Sequence, residues 1–131
     1  MSTRDRRSGT LYVVACGAPA ATTVAEFVDL AQRSGWQVRV IATPMGMRFI
    51  DADALAELAG DRVRTEFRMP DEPDELPPAD AVVVAPATFN SVNKWAAGIA
   101  DTFAAALLCE LTALGVPIVA VPQVKDALGA C

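Results

Sequence analysis

The sequence predicts a single α/β domain with a three-layer, doubly wound parallel sheet. Three observations predict it: short, continuous apolar runs; helix-like segments alternating with them; and Gly or Pro at most junctions. With 131 residues the chain fits one domain. That domain is expected over 10–131, behind a polar, disordered tail at 1–9 that carries Arg4, Arg6 and Arg7.

Leu11 to Ala15 (LYVVA) is the first apolar run and ends at Cys16-Gly17. From Thr22 to Ala31, Val24, Phe27, Val28 and Ala31 recur at i, i+3, i+4 and i+7, one face of a helix that Gly35 closes. Val38 to Ala42 is the next strand. Asp51 and Asp53 are candidate caps for a helix through Leu55 and Leu58 that Gly60 ends. Val63 to Phe67 is a weaker strand, and Ala81 to Ala85 (AVVVA) a strong one. Helical sequence follows from about Ser91 to Leu114, with Gly98 placed to break it in two. Pro117 to Val121 (PIVAV) is the last strand and stops at Pro122. Right-handed crossovers then give a Rossmann-like or flavodoxin-like sheet whose ligands sit at the carboxyl ends of the strands. Met69 to Ala79 (MPDEPDELPPA) combines prolines with carboxylates and is expected to be extended and exposed.

The apolar share of 53% supports a real core, and the charged share is 21%. A net charge of −5, with 11 Lys+Arg against 16 Asp+Glu, argues against nonspecific nucleic-acid binding, which needs a basic face. The chain has no His, so Ser-His-Asp triads, imidazole zinc sites and His general bases are excluded within it. Cys16, Cys109 and Cys131 form no CxxC pair and no metal-site pattern, and their sparse, odd number fits a reducing cytoplasm. No apolar run reaches the roughly 18 residues needed to span a bilayer, and no signal-peptide core follows the N-terminus. A cytoplasmic protein with no membrane and no nucleic-acid partner is the expectation. Cys16 and Cys109 read as buried, inert thiols, and Trp36 and Trp95 as packing residues.

Three loops stand where chemistry is expected. The first is Cys16-Gly17-Ala18-Pro19-Ala20-Ala21-Thr22, whose small residues let an anion approach free N–H groups at a helix N-terminus. It is neither GxGxxG nor a Walker A loop, and taken alone a tight structural turn is the better explanation. The second is Thr43-Pro44-Met45-Gly46. The third, Ala85-Pro86-Ala87-Thr88-Phe89-Asn90-Ser91-Val92-Asn93-Lys94, sets short polar side chains at a strand's carboxyl end, where they suit a heterocycle or carboxylate. An N-cap by Asn90 or Ser91, with Phe89 as an anchor, is the structural alternative.

The stretch ADAVVVAPATFNSVNKWAAGIADTFAAALL resembles the heart of the homo-oligomeric flavin-containing cysteine decarboxylases. That family includes phosphopantothenoylcysteine decarboxylase and the lantibiotic peptide-cysteine decarboxylases. Its hallmark Pro-Ala-Ser-Ala-Asn-Thr stretch, followed by Lys and a Gly-Ile/Leu-Cys/Ala-Asp turn, is matched by Pro86, Ala87, Asn90, Lys94, Gly98, Ile99 and Asp101. Thr88 stands for Ser and Ser91 for Thr. The similarity runs from Leu11 to Pro122 and takes in the Gly17 loop and Thr43 to Phe49. It implies FMN as cofactor, with Gly17, Ala18 and Thr43 near the phosphate and Phe49 near the ring system. It implies that Pro86, Ala87, Thr88 and Asn90 form the flavin and substrate site, with Asn90 the catalytic candidate. It further implies a homotrimer or a dodecamer of trimers with FMN between subunits. The small residues Ala97, Ala104, Ala105 and Ala106 are available for packing between subunits.

The sequence departs from the family at two places. The family's His before the strong fourth strand falls near Glu72 or Pro73, and its Pro-x-Met-Asn-x-x-Met segment is Pro122-Gln123-Val124-Lys125-Asp126-Ala127-Leu128 here, with Lys125 in the place of Asn. Loss of a general acid/base typically costs about 10²–10⁴ in rate. The expectation is therefore an FMN-binding oxidoreductase or lyase acting on another small molecule. A catalytically silent or regulatory subunit that needs a His-containing partner chain is the alternative. Glu72 or Asp74 is a candidate substitute base if burial raises its pKa. Family domains extend further than Cys131, so a truncated or shortened C-terminus and a more open pocket are expected.

Overall fold

The computed structural model describes residues 9–17, 24–65 and 76–122. Four parallel strands form one sheet in the order β2-β1-β3-β4: β1 (Thr10–Ala15), β2 (Gln37–Ala42), β3 (Ala81–Ala87) and β4 (Ile118–Pro122). Among the described residues four helices connect them: α1 (Val24–Arg33), α2 (Ala52–Ala59), α3 (Phe89–Ala96) and α4 (Phe103–Ala113). The chain moves outward from β1 to β2 on one side and to β3 and β4 on the other. The point where the direction reverses lies between β1 and β3, the standard ligand position in a doubly wound sheet.

Period-two alternation explains why both sheet faces are apolar. Leu11, Val13 and Ala15 of β1 join Val38, Val40 and Ala42 of β2 in one cluster, packed on Val24, Val28 and Ala31 of α1 and Leu55 of α2. Tyr12, Val14 and Cys16 face the other way and join Val82, Val84 and Ala87, packed on Ala104, Leu108 and Leu111 of α4. Val13, Val14, Val28 and Ile41 are completely buried, each contributing roughly 1.5–3 kcal/mol of transfer free energy. Trp36 packs against the first cluster and Trp95 against the second, as expected. On the outer strand β4, Val119 and Val121 remain exposed at 60% and 51%.

The element boundaries follow the expected punctuation. Gly35 and Gly98 have positive φ after α1 and α3, and Asp51 caps α2 through a 3.1 Å bond from the Ala54 N–H. Gly98 splits the long helical stretch into α3 and α4. Two readings are corrected. The cap of α3 is neither Asn90 nor Ser91 but Thr88, whose Oγ1 accepts from the Ser91 N–H at 3.2 Å. The helix starts at Phe89, two residues before Ser91, because β3 continues only through Ala87, leaving Thr88 in extended conformation. The weak strand from Val63 shrinks, over its described residues, to one parallel bridge between Arg64 and Ile41, with Asp61 ion-paired to both Arg39 and Arg64 at 3.0 Å. Charge holds that edge where apolar burial is thin.

The expectations for Ala18, for the start of the first helix at Thr22, for the 66–67 end of that strand, for the acidic stretch 69–75 and for the segment after Pro122 lie outside the described residues.

Candidate functional site

A cavity of about 390 Å³ opens at the carboxyl ends of β1, β2 and β3. Its floor and one wall are apolar, from Val14 at the end of β1 and from Ala104, Ala105 and Leu108 of α4. The other walls come from three strand exits. Cys16 and Gly17 follow β1; Thr43, Pro44 and Met45 follow β2; Thr88, Ser91 and Lys94 follow β3, with Thr102 joining from the start of α4.

Each exit is shaped by local chemistry. Thr43 continues the β1–β2 ladder by donating its N–H to Ala15 O at 3.0 Å, and its Oγ1 accepts from the Gly46 N–H at 2.9 Å. That bond turns the chain into a short 3₁₀ segment, Gly46–Arg48. Gly46 must be glycine here because a Cβ would lie 2.3 Å from the Ala15 carbonyl oxygen. Gly17 is pressed equally hard from across the gap: a Cβ would lie 2.3 Å from Met45 Cγ. The β2 exit therefore packs closely on the β1 exit, with the Met45 side chain against Gly17 and Gly46 against the Ala15 carbonyl. At the third exit, the ladder between β3 and β4 shifts register between Val84 and Ala87. Pro86 lies in that interval and has no N–H to donate.

Three threonines on the cavity wall are alike in their bonding. Thr43 caps its own turn, Thr88 caps α3, and Thr102 caps α4 by accepting from the Ala105 N–H at 3.1 Å. Each oxygen accepts a backbone proton, which leaves its own hydroxyl proton to be donated. Two helix N-termini, those of α3 and α4, thus begin at the same cavity and add partial positive charge. Lys94 is the one charged residue among the described residues lining it. These groups favour an anion locally, although the chain as a whole carries a net charge of −5.

Of the residues singled out from sequence, the structure brings Gly17, Thr43 and Thr88 together on this cavity. Ala87 is fully buried behind the wall. Pro86 and Asn90 belong to the end of β3 and the first turn of α3. Phe49 is not brought to this cavity. It is 37% exposed and lines a separate hollow with Arg48, Ile50, Asp51 and Leu55. Sequence reasoning missed Thr102, although a Thr directly before an apolar helical run is a cap signature. It took Cys16 for an inert core thiol; the residue is fully buried, and it also lines the cavity. Ala104 and Ala105 are buried within the chain, Ala106 is partly buried and Ala97 is exposed.

The model of the Flavoprotein family matches residues 1–128. No curated protein sequence matches the chain at a significant level. Among solved structures, the FMN-dependent cysteine decarboxylase SpaF superposes with a TM-score of 0.77 at 24% identity, covering 95% of this chain and 73% of SpaF. A PPC decarboxylase variant complexed with pantothenoylaminoethenethiol gives 0.73 at 20% identity, covering 95% and 72%. The FMN binding protein AtHal3 gives 0.69 at 20% identity, covering 92% and 68%. At these identities the structural likeness is one of fold.

Proposed function

The chain belongs to the Flavoprotein family, and on that premise we propose that it binds FMN in the cavity at the strand carboxyl ends and acts on a small molecule beside it. The observation that carries this reading is the set of three capping threonines, Thr43, Thr88 and Thr102, around a cavity of about 390 Å³ whose inner wall is apolar. A flat, apolar ring system needs walls such as Val14, Ala105 and Leu108. A ribityl chain and a phosphate need hydroxyl and N–H donors, which the threonines, Ser91 and the Gly17 loop supply. FMN-dependent chemistry in SpaF, a protein of the same fold, supports the choice of flavin.

When bound, FMN supplies a two-electron hydride acceptor. The chain's own residues hold and shield it. The close approaches of Gly17 to Met45 and of Gly46 to Ala15 fix the mouth, and Val14, Ala104 and Leu108 exclude water from the inner wall. We assign Asn90, in the first turn of α3, to the reacting end of the site. Phe49 stays with the flavin only if a second copy of the chain presents it, an arrangement consistent with the homotrimer that the sequence resemblance implies.

Decarboxylation of cysteinyl substrates is not the favoured reaction, because the chain has no His to serve as general acid or base. The favoured reading is oxidation or lyase chemistry on another small molecule. The same absence supports a second reading, a flavin-binding or regulatory subunit completed by a His-containing partner chain. The absorbance spectrum of the purified protein, with the released chromophore identified by mass, tests the shared core of both. Stoichiometric FMN supports it; no flavin after incubation with excess FMN overturns it. Turnover that appears only after co-expression with a His-containing homologue favours the second reading.

A further inference from the structure

Lys94 and Asp101 form an ion pair of 2.8 Å between Nζ and Oδ2, with side chains 30% and 50% exposed. An ion pair so open to water contributes little to stability, so its placement calls for another explanation. Lys94 lines the cavity, one turn beyond Ser91 on the same face of α3. Asp101 comes from the link between α3 and α4. The link reverses at Gly98, whose φ is +73°, with the Gly98 N–H bonded to Trp95 O at 3.0 Å and the Ile99 N–H to Lys94 O at 2.8 Å. This paired closure is the Schellman ending of a helix. It brings Asp101 back to Lys94 and sets Thr102, the next residue, as the cap of α4.

We infer that Lys94, held in place by Asp101 across the Gly98 turn, is the residue that recognises an oxyanion in this cavity. An ammonium has three donors. The bond to Asp101 leaves donors for a ligand, and the carboxylate fixes where the flexible stem delivers them. The helix N-termini capped by Thr88 and Thr102 act in the same direction, and none of the described residues lining the cavity is acidic. Asp101 is a positioning residue. The oxyanion has two sources, the phosphate of the proposed flavin or a carboxylate of the small molecule beside it. The cavity assignment rests on the flavin reading, whereas oxyanion binding by Lys94 does not.

The experiment is calorimetric titration of the purified full chain, wild type and Lys94→Met, Lys94→Arg and Asp101→Asn, with inorganic phosphate, FMN, riboflavin and propionate. Circular dichroism reports whether each variant is folded, and Lys94→Arg tests charge with the fold preserved. Lys94→Met is expected to weaken at least one oxyanion by at least about tenfold, while Lys94→Arg stays near wild type. Asp101→Asn is expected to cause a smaller loss with no change for riboflavin. Weaker FMN with unchanged riboflavin identifies the cofactor phosphate as the source; unchanged FMN with lost propionate binding identifies the carboxylate. Equal binding of all oxyanions to wild type and Lys94→Met overturns the proposal, as does a wild type that binds none. Phosphate binding that depends on Lys94 in a chain that takes no FMN sustains this inference and removes the flavin reading.

Discussion

At the scale of single residues, two contacts bear most directly on the site. Gly46 has no room for a Cβ, because the obstacle is the Ala15 carbonyl, part of the backbone rather than a side chain able to swing away. Gly46→Ala is therefore expected to lower stability by about 1–3 kcal/mol in urea unfolding and to weaken flavin binding by displacing Thr43. Gly17→Ala meets the Cγ and Cβ of Met45 at 2.3 and 2.7 Å and its backbone carbonyl carbon at 3.1 Å, so pairing it with Met45→Ala, which keeps the Cβ, should restore only part of its loss. Tyr12 offers a pH test. Its hydroxyl donates to Pro77 O, and burial of the ring raises its pKa above the ordinary value of 10.0. The folded chain thus holds the phenol proton more tightly than the unfolded chain, so stability is full below about pH 10 and falls as pH rises beyond it. Tyr12→Phe should flatten that alkaline decline and cost about 1 kcal/mol near neutrality, both measurable by denaturation at a series of pH values. Thr43 and Thr88 were legible in the sequence as short polar residues at strand exits. The displacement of Phe49 from the cavity was not, since it depends on the path of the 3₁₀ turn at Gly46–Arg48 rather than on any local pattern.

At the scale of elements, the two caps facing the cavity separate stability from binding. Thr88→Ala and Thr102→Ala each remove the acceptor for a helix N-terminal N–H and should each cost about 1 kcal/mol. Asp51→Ala, which uncaps α2 away from the cavity, should cost a similar amount. If the cavity is the flavin site, the first two also weaken FMN binding and the third does not, a comparison that fluorescence titration makes directly. Helix ends and strong strands were readable because each has a local cause: Gly with positive φ, Asp at a cap, AVVVA between turn residues. The start of α3 was misplaced because Thr88 and Ser91 are both good caps, and only the length of β3 decides between them. The strand at Val63 was overestimated for a related reason. Its apolar content is modest, and the described part is held by Asp61 between two arginines.

At the scale of the molecule, strand order places the site. Four parallel strands in the order β2-β1-β3-β4 leave one reversal, and the cavity lies there. Continuous apolar runs revealed the parallel sheet, and right-handed crossovers then fixed which helices cover which face. Sequence could not show that Lys94 and the starts of α3 and α4 share one cavity, because they meet only in three dimensions. Nor did it show that Ala104 and Ala105 face inward, since a helix so rich in small apolar residues has no polar face to orient it.

The central claim is the location of the flavin, and a crystal structure of the protein with FMN tests it most directly. The account predicts the flavin between the Gly17 and Thr43 loops on one side and Thr88, Ser91 and α4 on the other. A flavin seated instead in the hollow beside Arg48 and Phe49 of the same chain, with the cavity at Thr88 vacant, would contradict it.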